Sequence, residues 1–432
     1  MNMRLELQKF IVKDVVFAEK TSFNSGTLSV NKQELETMLE EDIQFSKVEI
    51  ELVHPGESAR IVQVMEAIEP RARKDGSDFP GVLNKTIEFV GNGITDALSG
   101  SAVILIDDTG GHLSDRRKPY GNIIDMSGPL AEYTVYSKTH NICITTYPAE
   151  GVDVKEPNYK VAIKLAGFKA AVYLASCCKD LTPDEVEVYD LPPLTKIAKD
   201  KENLPKVVYI MNLYRYYLKE EFSIYGRMYS WTPSMLLHPN ELFDGAVINP
   251  YLNINGASPA TLDTYTIQNH PILKELYERH GKDLLLLGVI PTVAQLEDHD
   301  VVSHVNLALK LALHMGADGA ILTKATGGSP QIDIAQFAVN ATKYGIKSVL
   351  LMDDMAAKLP DGKYKVNGII FTDPKASAMV NTGNITEAVT AQAVERVIGH
   401  LKDANGELNY GLTSLFGQGA QMGNTNLVEV KY

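Results

Sequence analysis

Cysteine is almost missing from this chain: Cys143, Cys177 and Cys178 are the three in 432 residues. So few, two of them adjacent, supply neither a disulfide framework nor a four-ligand zinc centre, and they point to a reducing compartment. Long apolar runs are missing as well. No window approaches roughly 20 uninterrupted apolar residues, so no membrane span is expected. The opening MNMRLELQKFIVKDVVF carries Arg4, Glu6, Lys9, Lys13 and Asp14, which interrupt the core a signal peptide needs, and a cytoplasmic location is the expectation. Positive charge is in deficit, with 41 Lys and Arg against 54 Asp and Glu and a net charge of −13. A duplex nucleic-acid binder needs a basic face to neutralise phosphate, so that class is excluded and the charge serves solubility. The signatures GxGxxG, GxxxxGKS, HExxH, CxxC and GxSxG are all absent, which removes the usual grounds for a nucleotide, metal or nucleophile site. Among ten histidines, His299, His304 and His314 are too irregularly spaced to suggest metal ligands, and no metal is expected.

What is present is a globular composition, 45% hydrophobic and 22% charged, in a chain long enough for two or three domains. Residues 1–150 read as a β-rich domain of short strands. Lys47 to Val53 alternates and stops at His54-Pro55-Gly56, and Ser101 to Ile106 stops at Asp107-Asp108-Thr109-Gly110-Gly111. Residues 151–204 read as a helical connection, with Val161, Leu165, Ala166, Phe168 and Val172 on one face of a helix over Tyr159 to Ala175. Thr182-Pro183-Asp184-Glu185 resembles a helix or turn start. From 205 to 432 apolar runs predict strands at Lys206 to Met211, Phe243 to Ile248, Asp283 to Ile290, Asp318 to Thr323, Ile346 to Met352 and Asn367 to Thr372. Amphipathic segments at Gln268 to His280, Val301 to Met315, Ile332 to Tyr344 and Thr386 to Leu401 predict helices. Strands apolar throughout and joined by helices imply an α/β domain, a doubly wound and mostly parallel sheet with its ligands at the carboxyl ends of the strands.

Two segments at those ends can carry chemistry. In Lys324-Ala325-Thr326-Gly327-Gly328-Ser329-Pro330, the backbone amides of Gly327 and Gly328 suit a carboxylate, and Asp353-Asp354 closes the neighbouring run. A plain tight turn, with Ser329 or Asp333 near the helix start, explains the same residues. The loop over 249–261, which holds Asn253, Asn255, Gly256, Ser258 and Thr261, is polar and long for a connection, as functional loops often are. Cys177-Cys178 reads as a buried inert pair and Asp115-Arg116-Arg117-Lys118 as a solvated loop.

Several strings, in order along most of the chain, resemble the component B α/β proprotein of glycine, sarcosine and betaine reductases. They are His54-Pro55-Gly56-Glu57-Ser58-Ala59-Arg60-Ile61, Glu69-Pro70-Arg71, Phe79-Pro80-Gly81-Val82 and above all Ile124-Asp125-Met126-Ser127-Gly128-Pro129-Leu130-Ala131-Glu132-Tyr133. The likeness continues through Leu181-Thr182-Pro183-Asp184-Glu185-Val186, Gln268-Asn269-His270-Pro271, Leu276-Tyr277-Glu278-Arg279-His280-Gly281-Lys282 and Asp318-Gly319-Ala320-Ile321. The resemblance implies self-cleavage in the loop after Phe243 to Ile248, at a cysteine that becomes an N-terminal pyruvoyl group. It implies a Schiff base between that carbonyl and the substrate amine, attack on the carbon–nitrogen bond by a selenoprotein partner, and an acyl-transfer component that takes the product.

No cysteine lies between Ala246 and Gln268; Asn253 stands near its place and cannot supply the nucleophile that self-cleavage requires. Ser258 is a weak substitute, displaced and followed by Pro259, and Thr261 is another. The expectation is an unprocessed chain with no cofactor. It binds a small amine- or carboxylate-bearing substrate within a reductase and is oligomeric. A quaternary amine, which cannot form a Schiff base, suits binding of this kind. Asn253, Asn255, Gly256, Ser258, Gln268, Asn269, Gly327, Gly328 and Asp353 are expected to line the pocket, with Asp125, Ser127 and Glu132 contributing from the N-terminal half. A non-catalytic scaffold or regulatory paralogue docking with reductase components is the alternative.

Overall fold

The computed structural model describes residues 3–74, 82–83, 90–107, 121–154, 156–196, 201–214, 222–228, 233–250, 262–295, 302–325, 328–354, 356–358, 361–366, 378–385, 388–401, 403–412, 415–418 and 422. Two four-stranded sheets dominate the N-terminal half. One has the spatial order Glu185–Leu191, Met3–Ile11, Gly93–Ser99, Arg71–Arg73; the other has Phe45–Val53, His140–Pro148, Ser101–Asp107, Val64–Ile68. The alternation in Phe45–Val53 works as read: Val48, Ile50 and Leu52 are buried while Lys47, Glu49 and Glu51 lie outward. The helix Pro157–Ser176 covers this core with Ala162, Ala166, Ala170 and Ala171. At Gly167 an added Cβ would stand 2.9 Å from Ile68 and Leu105 side-chain carbons, so a glycine sets how closely helix and sheet approach.

The C-terminal half is built on a five-stranded, fully parallel sheet with the order Leu285–Ala294, Lys206–Tyr214, Gly319–Lys324, Lys347–Asp354, Ala378–Asn384. All ten residues of Leu285–Ala294 are buried, which explains its continuous apolar run. Alternate residues of the central strand feed two cores. Val208 and Ile210 pack with Val305 and Leu309 of the helix Ser303–His314 and with Ile334 and Phe337 of the helix Ser329–Thr342. Tyr209, Met211 and Leu213 pack on the other side with Leu273 and Leu276 of the helix Pro271–Arg279. The chain then returns to its beginning: Arg396–Ile398 pairs parallel with Ala59–Ile61, and Ile124, Ile398 and Phe416 share one apolar cluster.

Three expectations are corrected. Phe243 to Ile248 is no strand: Pro239–Phe243 is a short helix, and only Val247 makes an isolated bridge, to Ile224. Pro239 in its first turn and a capping box between His238 and Glu241 fix a helix where the apolar residues resembled an extended run. The helix expected over Thr386 to Leu401 is absent from its described part, residues 388–401; Ala388–Ala391 pairs with Leu408–Gly411 and Arg396–Ile398 joins the Ala59–Ile61 strand, so distant strand partners override the local pattern. At Thr182 to Glu185 no helix starts; Asp184 accepts from the Ile11 N–H at 2.7 Å and Glu185–Leu191 is a strand. Asn367 to Thr372 and the Asp115 to Lys118 cluster lie outside the described residues, as does His299. No helix among the described residues is long and apolar enough to cross a membrane.

Candidate functional site at the strand ends

Counted in chain order, the parallel strands are arranged 2-1-3-4-5, so the direction of winding reverses between Lys206–Tyr214 and Gly319–Lys324. At such a switch point the connections leave on opposite sides and open a crevice beyond the carboxyl ends. Polar residues occupy those ends here. Asn212 stands in register between Thr292 and Lys324, and the Ala325 N–H donates to the Asn212 carbonyl at 2.9 Å.

Lys324 and Asp353, each with a side chain 1% exposed, form an ion pair. Sheet and helices remove both from water, so each charge depends on the other. Asn212 Nδ2 donates to Asp333 Oδ2 at 3.2 Å, and burial of Asp333 pushes its carboxyl up to about 7 against that hydrogen bond. Asp353 Oδ2 and Asn212 Oδ1 are buried acceptors with no hydrogen-bond partner among the described residues. Behind them, His270 Nε2 meets the Tyr209 hydroxyl at 2.8 Å, which in turn meets Thr323 Oγ1 at 2.5 Å. Burial pushes His270 down to about 3, so this ring is neutral. Gly328 precedes the helix Ser329–Thr342 at φ 76°, a conformation that favours glycine, and the helix has no side-chain N-cap.

Residues 251–261 lie outside the described residues, but both ends of that loop are in view. Ile248 and Ser223 exchange hydrogen bonds of 3.1 and 2.6 Å, the Asn249 N–H donates to Thr264 Oγ1 at 3.1 Å, and Lys164 Nζ donates to the Asn249 carbonyl. On the far side, Asp263 accepts from the Tyr136 hydroxyl at 2.6 Å and the Thr266 N–H at 2.7 Å. Glu66 accepts from the Thr264 N–H at 2.9 Å and its own neighbour Ala67 at 3.0 Å. Burial raises Glu66 to about 8, with Lys164 opposing, so this carboxyl holds its proton at neutral pH. Leu262 belongs to the same apolar cluster as Leu213 and Ala325, so the loop returns beside the strand ends.

Of the residues expected in the pocket, Asp353 lies buried near the carboxyl end of its strand and Gly328 precedes the helix Ser329–Thr342. Asn253, Asn255, Gly256, Ser258, Thr261 and Gly327 lie outside the described residues. Gln268 is buried, with both ends of its amide on the Glu69 backbone at 3.0 and 3.3 Å, and Asn269 Oδ1 accepts from Arg71 at 3.2 Å; both join a polar seam between the two halves. Asp125 is held at 2.6 and 2.9 Å by Arg60, whose remaining donors reach the carbonyls of Gln392, Ala404 and Gly406. Ser127 is half-buried and Glu132 is exposed on the turn Pro129–Tyr133. Asn212 and Lys324 are not among the residues expected in the pocket; Lys324 directly follows an apolar run at a strand end, whereas Asn212 lies two residues short of the end of Lys206–Tyr214. Glu66, Lys164, Asp263 and Tyr136 were missed as well, and no local signal marks them.

Fold and site together define an α/β protein with buried polar residues at the carboxyl edge of a parallel sheet. The chain belongs to the family of glycine/sarcosine/betaine reductase component B subunits, which matches it over residues 3–417. It is 35% identical to the glycine reductase complex component B subunits alpha and beta of Acetoanaerobium sticklandii over 404 residues, 92% of this chain and 89% of that one. It is 36% identical over 402 residues to the sarcosine reductase complex component B subunit alpha of Peptoclostridium acidaminophilum, and 34% over 406 residues to the betaine reductase complex component B subunit alpha of the same organism. These alignments cover 92% and 93% of this chain and 90% and 88% of the relatives. No solved structure matches it.

Proposed function

We propose that this chain is a component B-type substrate-binding protein of a reductase acting on glycine, sarcosine, betaine or a close analogue, and that it works as one unprocessed polypeptide without a pyruvoyl group. Family membership along nearly the whole chain supports the reductase class. The missing cysteine between Ala246 and Gln268 supports the absence of processing. The observation that carries the reading of the site is the pair of buried, unpartnered acceptors, Asp353 Oδ2 and Asn212 Oδ1, beside a buried lysine at the switch point. We read this sheet as doubly wound and the crevice as its ligand site.

A substrate ammonium meets those acceptors, and its carboxylate meets Lys324 and the Ser329 N–H. A quaternary amine, which cannot condense with a carbonyl in any case, gives up nothing by the loss of the pyruvoyl group. Asn253, Asn255, Gly256 and Ser258 remain proposed substrate contacts on the strength of the sequence alone. Reductive cleavage of the carbon–nitrogen bond then belongs to a selenoprotein partner, and an acyl-transfer component receives the product. The setting is cytoplasmic and the assembly oligomeric.

Titration calorimetry of the full chain with glycine, sarcosine and betaine tests this. One of the three is expected to bind with a stoichiometry of one, and Asp353→Asn is expected to weaken it tenfold or more, which corresponds to about 1.4 kcal/mol. Silence with all three contradicts the reading and leaves a scaffold that docks with the reductase components; equal affinity in the variant contradicts the placement of the ligand at Asp353.

A further inference from the structure

His54 follows the strand Phe45–Val53 and His140 opens the neighbouring strand His140–Pro148; the antiparallel register, in which Asn141 faces Val53, brings the two rings together. Their Nδ1 atoms are 3.0 Å apart, and the ring planes cross at 72° with centroids 5.2 Å apart. Asp14 belongs to another sheet, a small one formed by Asp14–Phe17, Thr27–Val30 and Ser22–Asn24, and its Oδ1 lies 3.7 Å from His54 Nδ1. One donor atom from each of the three residues falls within 4.8 Å of the other two. Asp14 is exposed and both histidines are half-buried, so the cluster is open to ions in solution.

A hydrogen bond between two neutral imidazoles accounts for the 3.0 Å separation. It does not account for a carboxylate converging on the same point. Two nitrogens each about 2.0–2.1 Å from a tetrahedral ion lie roughly 3.3 Å apart, so the rings need to part by only a few tenths of an ångström to admit one. The outward surroundings also fit ligating imidazoles, whose second nitrogen is ordinarily directed at a carboxylate or a carbonyl. His54 Nε2 faces Glu57 Oε1 at 3.9 Å, and that carboxylate is fixed by the His54 N–H at 2.9 Å. His140 is hydrogen-bonded to the backbone of Lys13, the residue before Asp14.

We propose that Asp14, His54 and His140 form a binding site for a divalent cation that favours nitrogen and oxygen ligands, zinc above all, and that the ion clamps the Asp14–Phe17 sheet to the sheet carrying the two histidines. Two imidazoles and a carboxylate supply three ligands, and water completes the tetrahedron. Binding replaces the contact between the histidines, and the ring that carried the Nδ1 proton changes to its Nε2–H tautomer by exchange through solvent, so that both rings ligate as neutral imidazoles. The residues are far apart in sequence, which is why spacing among the histidines gives no sign of the site.

The test uses the full chain, stripped with EDTA and titrated with ZnCl2 against a chromophoric chelator, then with CoCl2 read by visible absorption. One equivalent of zinc and a tetrahedral cobalt band are expected, with affinity at least tenfold lower in His54→Ala, His140→Gln and Asp14→Asn. Circular dichroism checks that each variant is folded. If a histidine variant unfolds, Asp14→Asn, an exposed substitution, carries the test alone. Absence of stoichiometric binding by the unmodified chain overturns the proposal. So does undiminished affinity in the folded variants, which places the metal elsewhere, the Cys177–Cys178 pair included.

Discussion

Replacing Lys324 with methionine is expected to cost about 3–5 kcal/mol of folding stability, because it leaves the buried Asp353 carboxylate without its counter-ion. The double variant Lys324→Met, Asp353→Leu removes both charges and is expected to regain most of that loss, since apolar residues of similar size replace a buried pair at little or no cost. Chemical denaturation of the three proteins measures the difference. If the single variant is as stable as the unmodified chain, the pair is not desolvated as described. The double variant also separates structure from function: stable but unable to bind an amine ligand, it assigns the pair to the site rather than to the fold.

Glu66→Gln is expected to flatten the dependence of stability on pH. The folded-state pKa of about 8 lies above the ordinary carboxylate value of 4.5, so between those limits the folded protein holds a proton that the unfolded chain has released. The unfolded state binds fewer protons in that window. Stability therefore falls as pH rises from about 5 to 8, with a slope of up to about 1.4 kcal/mol per pH unit from this group. Asp96 and Asp333, each raised to about 7 by burial, act in the same direction, so the difference between the two proteins isolates Glu66. Urea denaturation at pH 5, 6.5 and 8 gives both slopes; equal slopes contradict a protonated Glu66. Because Thr264 opens the segment after the loop and rests on Glu66, the same titration reports on how firmly the loop base is held.

Sheet strands were legible where burial leaves a simple record. Leu285–Ala294 is buried throughout and reads as one apolar run, and Phe45–Val53 is buried on one face and alternates. Reading failed where a short cap or a remote partner decides. His238 is an unusual N-cap, so Pro239–Phe243 passed for part of a strand, and Arg396–Ile398 is extended only because Ala59–Ile61 waits at the other end of the chain. The same division holds at the site. Asp353 ends an apolar run and was found, whereas Asn212 is followed by Leu213 and Tyr214 and looks like strand interior. Glu66 sits inside a strand with all five residues buried, and its significance comes from Lys164 and Thr264, contacts that no local pattern encodes.

An intact-mass spectrum of the purified chain, taken before and after exposure to a hydrazide, tests the central claim most directly. A single unreactive species near 47.5 kDa is predicted. Two fragments, the smaller one blocked at its N-terminus, reactive with the hydrazide and beginning within 249–261, contradict it.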